Sequence, residues 1–106
     1  MAYITIFANR EAISVMNSRT VISVDGGREF SALGSMFKYF KTASGNHSVV
    51  VTSGNGQSWE CADYIGSRDV MNIRLDVGSD GNVVNVAYRV GAEPPGMMFM
   101  KKENLP

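Results

Sequence analysis

Cysteine and histidine are almost absent from this chain of 106 residues, which contains Cys61, His47 and no other residue of either type. A single cysteine excludes an intramolecular disulfide, so a reducing compartment is expected rather than a secreted, cross-linked scaffold. A structural zinc site needs four Cys or His ligands, and the scattered acidic residues do not form a calcium or magnesium motif. We therefore predict neither a metal nor a cofactor.

A surplus of charge is also missing, because ten Lys and Arg residues balance ten Asp and Glu residues. Proteins that bind nucleic acid normally carry a basic surplus, and mimics of DNA carry an acidic one. No apolar run is long enough to cross a bilayer, and the N-terminus lacks the regions of a signal peptide. The chain is 44% hydrophobic and 19% charged, which predicts one folded domain over residues 1–106, in the cytoplasm and without membrane contact.

Alternation of apolar and polar residues predicts strands along most of the chain. The predicted strands cover residues 3–8, 12–16, 20–24, 47–53, 57–64, 70–77 and 82–90. The second and third of these suit a hairpin, although residues 11–19 also suit a short helix. The last two strands flank a turn at residues 78–81, and their alternation predicts a hairpin with one apolar and one polar face.

The turn at residues 54–56 contains Asn-Gly, which is a strong signal for a tight hairpin. With Asn55 and Gly56 as a two-residue turn, antiparallel pairing places Val50 opposite Cys61 and His47 opposite Tyr64. That register leaves His47 about 10 Å along the strand from Cys61, too far for a nucleophile and its base. Cysteine is commonly buried in folded proteins. We predict no catalytic residue and no enzymatic activity.

A helix is predicted over residues 30–40. Its basis is the spacing of Phe30, Leu33, Phe37 and Phe40, which places four apolar side chains on one helical stripe. The expected fold class is therefore α+β. It consists of a mostly antiparallel sheet of about six or seven strands, built from hairpins, with one principal amphipathic helix packed on one face.

The C-terminal residues 94–106 differ in character from the rest. Pro94-Pro95-Gly96 ends the last strand, and an apolar segment follows at Met97, Met98, Phe99 and Met100. Methionine-rich apolar segments are frequent where proteins meet partners. The alternative is that this segment folds back as a last strand or plug and completes the core. Trp59 would anchor an interface if exposed, but as a half-buried strand residue it needs no such role.

Elimination of catalysis, metals and cofactors leaves a binding role. The expected function is that of a small non-enzymatic binding or regulatory protein that acts by protein–protein contact, either on a partner or as a homodimer. A free-standing neutral domain suits a stoichiometric inhibitor, such as those that phages or mobile elements direct against host machinery. The alternative is a single-stranded nucleic-acid-binding domain that uses Tyr3, Phe7, Arg74 and Arg89 on a sheet face.

Overall fold

A computed structural model describes residues 1–9, 19–31 and 37–106. Nine strands occupy these described ranges, together with a short 3-10 helix at Pro95–Met97. The strands are Ala2–Ala8 (β1), Val21–Val24 (β2), Phe30–Ser31 (β3), Phe37–Thr42 (β4), Gly45–Thr52 (β5), Ser58–Ile65 (β6), Asp69–Val77 (β7), Val83–Ala92 (β8) and Glu103–Asn104 (β9).

The strands form two sheets. A five-stranded mixed sheet has the order β8-β7-β1-β4-β9, in which β1 runs parallel to β7 and β9 runs parallel to β4. A four-stranded antiparallel sheet has the order β3-β2-β5-β6. The chain passes from one sheet to the other four times: between β1 and β2, between β3 and β4, between β4 and β5, and between β6 and β7.

The core lies between the inner faces of the two sheets. Alternate residues of each strand point into it, as the period of two in a pleated strand requires. On the mixed sheet Ile4, Phe40 and Ile73 are buried, and on the antiparallel sheet Val49 and Cys61 are buried. The intervening residues of the mixed sheet face outward, and this outer face carries the sites described below.

The predicted helix over residues 30–40 is wrong. The structure has no α-helix within residues 1–9, 19–31 and 37–106, and it places Phe30 in β3 and Phe40 in β4. The rings of Phe30 and Phe40 do meet, at 5.3 Å between centroids, but across the core rather than along a helical stripe. Leu33 lies outside the described residues. The fold class is accordingly all-β, with two sheets in place of the single helix-covered sheet.

The two hairpins predicted from their turns are present. β7 pairs with β8 in antiparallel register, and β5 pairs with β6. The register expected for the second hairpin is wrong by one residue, because Val49 rather than Val50 lies opposite Cys61, and His47 lies opposite Asp63. The cause is a three-residue loop. The Ser53 amide donates to the Gln57 carbonyl, and Gly56 takes a φ of +88°.

Of the hairpin expected from residues 12–16 and 20–24, the second arm is present as β2. Residues 12–16 lie outside the described ranges. β2 pairs on one side with β3 and on the other with β5. The connection to β3 begins with a tight turn at Asp25-Gly26, where both residues have positive φ and the Gly27 amide donates to the Val24 carbonyl at 2.9 Å.

Residues 93–106, which we call the strap, cross the outer face of the mixed sheet. The strap leaves the end of β8, passes through the 3-10 helix and ends with β9, which extends the sheet beside β4. Leu105 then packs against the core. Thr5 and Tyr39 are 0% and 2% exposed although their positions on β1 and β4 face outward, and Lys102 of the strap lies over the Tyr39 ring.

Candidate functional site

Lys102 holds the strap in place. Its ammonium lies 3.3 Å from Glu93 Oε2 and donates to the backbone carbonyls of Met98 and Met100 at 3.1 and 3.2 Å. It also lies over two aromatic rings, 4.7 Å from the centroid of Tyr39 and 5.1 Å from that of Tyr3. These contacts are typical of a desolvated cation, which needs both opposite charge and polarisable neighbours. We call this arrangement the lysine clasp.

The carboxylate of Glu93 completes the clasp from its other side. Tyr39 donates its hydroxyl hydrogen to Glu93 Oε2, the oxygen that also faces Lys102. Burial raises the pKa of Tyr39, and the hydrogen bond and negative charge of Glu93 raise it further. The phenol therefore remains protonated and serves as a donor. Glu93, at the start of the strap, and Lys102, beyond its tip, are thus joined to each other and to β4.

The clasp presents an apolar tip at residues 98–100. Phe99 is 95% exposed, the largest value for a large apolar side chain among the described residues, and Met98 and Met100 are 57% and 42% exposed. The preceding turn is fixed by backbone bonds, with Met97 donating to Pro94 and Met100 donating to Met97. The sequence leaves two alternatives for this segment, an exposed contact surface and a segment that folds back to complete the core. The strap as a whole folds back on the sheet, but the side chains of its tip stay in solvent.

Trp59 lies apart from the tip. It belongs to β6 of the antiparallel sheet, half-buried and opposite the fully buried Val51. Its parity with Cys61 places it on the inner side of that strand. The structure therefore gives Trp59 a place at the margin of the core, and it does not bring this residue together with Met97 and the tip.

Three of the four residues assigned to the nucleic-acid alternative come together. Phe7, Arg74 and Arg89 line a cavity of about 350 Å³ on the outer face of the mixed sheet, together with Asn72, Ala87 and Tyr88. Tyr3 is not among them, because its ring contacts Lys102 and Tyr39 in the clasp. Arg74 is paired with Asp76 through Nε and Nη2, at 3.0 and 3.3 Å. That pair neutralises one of the two guanidinium groups.

Cys61 and His47, the two residues that the sequence offers for a nucleophile and its base, both lie in structural environments. Cys61 is 1% exposed. The ring nitrogens of His47 are both engaged, Nδ1 with Asp25 Oδ2 and Nε2 with the Ala43 carbonyl, each at 2.6 Å. His47 thereby joins the turn after β2 to the crossing between β4 and β5, which is a structural role.

The Cys61 thiol is expected to resist alkylation in the folded protein. Burial raises its pKa to about 11, and the charge of Glu60 adds to the rise. We expect iodoacetamide to modify it slowly near neutral pH and rapidly in denaturant, because the thiolate is the reactive form. Since the folded state holds the thiol protonated, raising the pH from about 9 towards 11 should also favour unfolding. Mass spectrometry measures the labelling. Rapid labelling of the folded protein near neutral pH would contradict the assignment of Cys61 as a buried, protonated thiol.

Within residues 1–9, 19–31 and 37–106, no three His, Cys, Asp or Glu side chains are grouped so as to hold a metal ion. In the same part of the chain, no helix has the length and apolarity to span a membrane. Comparison with known proteins yields no match to a protein-family model, to a curated protein or to a solved structure.

Proposed function

We propose that this protein is a non-enzymatic binding protein that contacts a partner protein through the tip at residues 98–100. The observation that carries the proposal is the 95% exposure of Phe99 between two exposed methionines. Covering a phenylalanine side chain is worth about 1.5–3 kcal/mol, so a chain that leaves one in solvent forgoes that stabilisation. A contiguous apolar tip is a feature of surfaces that bind other molecules.

The rigidity of the backbone beneath the tip supports the proposal. The carbonyls of Met98 and Met100 are held by Lys102, and the amide of Met100 is held by Met97. A partner would therefore not have to order this backbone on binding, and that lowers the entropic cost of association. The methionine side chains stay adaptable and fit irregular partner surfaces. A protein of this kind acts by occupying a surface of its target, as a stoichiometric inhibitor does.

Replacement of Phe99 is the test. Phe99→Ser should lower partner affinity at least about tenfold, because a central apolar anchor is worth more than 1.4 kcal/mol. It should change the free energy of unfolding by less than about 0.5 kcal/mol, because the Phe99 side chain is almost fully exposed to solvent. Affinity is measured by capture from a nuclease-treated lysate of the native cells, followed by titration with the captured protein.

Tyr64→Ser is the matched control, since Tyr64 is also an exposed aromatic residue, at 58%, but on β6 of the other sheet. It should leave capture unchanged. Equal capture by the wild-type and Phe99→Ser proteins would refute the proposal, as would a partner that nuclease removes. If light scattering shows a dimer that Phe99→Ser abolishes, the partner is a second copy. A truncation after Gly96 is unsuitable because it also removes Lys102 and β9.

A further inference from the structure

The cavity that contains Arg89 continues into a second, apolar cavity. The second cavity has a volume of about 370 Å³ and is lined by Phe7, Ala8, Phe37, Asn72 and Met97. Phe7 and Asn72 line both cavities, so the two adjoin. We call them together the outer-face groove. The pairing of β4, β1, β7 and β8 places Phe37, Phe7, Arg74 and Ala87 in one row across the sheet.

The polar end of the groove offers hydrogen-bond donors. Asn72 Oδ1 accepts the hydroxyl hydrogen of Thr5, which leaves the Asn72 amide nitrogen as the group available to a ligand. Arg89 has no carboxylate partner among the described residues, whereas Arg74 uses Nε and Nη2 on Asp76. Among the residues that the structure describes, no acidic side chain lines this cavity. The local excess is thus close to one positive charge beside uncommitted donors, which suits a single anionic group.

The other end of the groove offers apolar contact alone. Apart from the Asn72 side chain, the described residues that line it are two phenylalanines, an alanine and a methionine. Phe7 is half-buried at the junction of the two ends. Two strand spacings, about 10 Å, separate β1 from β8, so one small molecule can reach Phe7 and the cationic end together. A single net charge is too little for a strand of nucleic acid, whose affinity grows with the number of phosphates neutralised.

We infer that the outer-face groove binds an organic monoanion that has an apolar or aromatic body, with its carboxylate at Arg89 and Asn72 and its body against Phe7. Such a group is found on a free aryl or acyl carboxylate and on the C-terminal residue of a peptide that ends in an apolar side chain. The groove shares Met97 with the strap but none of the residues of the tip. It therefore does not depend on the tip being an interface.

A pair of matched ligands tests the charge. N-acetyl-phenylalanine should bind at least about tenfold more tightly than its uncharged amide, since the two differ only in the group that faces Arg89. Arg89→Gln should abolish that preference. Arg28→Gln removes the same charge from an exposed position between β2 and β3, and it should leave the preference intact. Phe7→Leu should weaken both ligands alike, because it alters the contact shared by their rings. Binding is followed by chemical shifts of the groove amides.

Further arms identify the source of the anion and separate this site from the tip. If the groove receives the end of a peptide chain, a short peptide that ends in phenylalanine should bind only when its C-terminal carboxylate is free. If the groove receives a small molecule, N-acetyl-phenylalanine should bind more tightly than the peptide. Phe99→Ser should change neither affinity. Equal binding of acid and amide, equal loss in Arg28→Gln and Arg89→Gln, or preferential binding of a single-stranded oligonucleotide would overturn the inference.

Discussion

Replacing Lys102 with methionine should destabilise the protein by about 2–4 kcal/mol and release the strap. Methionine keeps much of the packing of the lysine stem over Tyr3 and Tyr39, so the loss isolates the charge. Glu93 is only 10% exposed at its side chain and would be left without its cation. The carbonyls of Met97, Met98 and Met100 would lose their shared donor. Denaturant unfolding measures the free energy, and amide hydrogen exchange of Met100 reports whether the tip remains ordered.

A double-mutant cycle with Glu93→Gln separates the pair from its surroundings. Glutamine can still accept the Tyr39 hydroxyl hydrogen, so this change alone should cost less than Lys102→Met. The double variant should lose less stability than the two single variants lose together, because no buried charge is then left unpaired. Lys101→Met is the control, since Lys101 is exposed. An unchanged stability and undiminished amide protection in Lys102→Met would mean that β9 and Leu105 hold the strap without the clasp.

The strap also explains which parts of the site could be predicted from the sequence. The apolar composition of residues 97–100 is a local signal, and the break at Pro94-Pro95 marks where the last long strand ends. Lys102 gives no such signal, because a lysine in a polar tail is normally solvated. Its burial depends on Tyr3 and Tyr39, which are distant in sequence and meet it only once the strap has crossed the sheet.

The fold shows the same division between local and long-range information. The hairpins β5–β6 and β7–β8 are formed by residues close in sequence, and their turns contain Gly and Asn or Asp, so alternation and turn chemistry suffice to predict them. The parallel pairing of β1 with β7 joins residues such as Tyr3 and Val70. Nothing in a local window specifies it. The one-residue error in the β5–β6 register arose because two-residue and three-residue loops share the Asn-Gly signal.

The mistaken helix has a different cause. Phe30, Phe37 and Phe40 fit a helical stripe, but Phe30 lies in β3 of the antiparallel sheet, whereas Phe37 and Phe40 lie in β4 of the mixed sheet. The segment of β4, Phe-Lys-Tyr-Phe-Lys-Thr, is rich in aromatic residues and ends in threonine, a composition that favours a strand. Short apolar patterns of this kind fit both periods, and the pairing of β4 with β1 decides between them.

Phe40→Ala is therefore expected to be among the most destabilising substitutions, with a loss of about 3–5 kcal/mol in the free energy of unfolding. The ring is 2% exposed, lies opposite Ile4 on β1 and contacts the ring of Phe30. Truncation removes its buried area and leaves a cavity between the sheets, because residues from both sheets line it and neither can collapse freely. Denaturant titration monitored by circular dichroism measures the loss. If the alanine variant fails to fold, Phe40→Leu is measured instead, and its expected loss is smaller.

The comparison along β4 makes this prediction specific to a strand. A strand places Phe37 and Phe40 on opposite faces, so Phe37→Ala should cost only about 1–2 kcal/mol, as expected for a half-buried ring beside the outer-face groove. The adjacent Lys41→Ala should lie within about 0.5 kcal/mol of the wild type, because Lys41 is exposed. Nearly equal losses at Phe37 and Phe40 would instead indicate a shared helical face and contradict the sheet. A large loss at Phe40 with a small one at Phe37 follows from an aromatic strand whose alternate residues divide between the core and the groove.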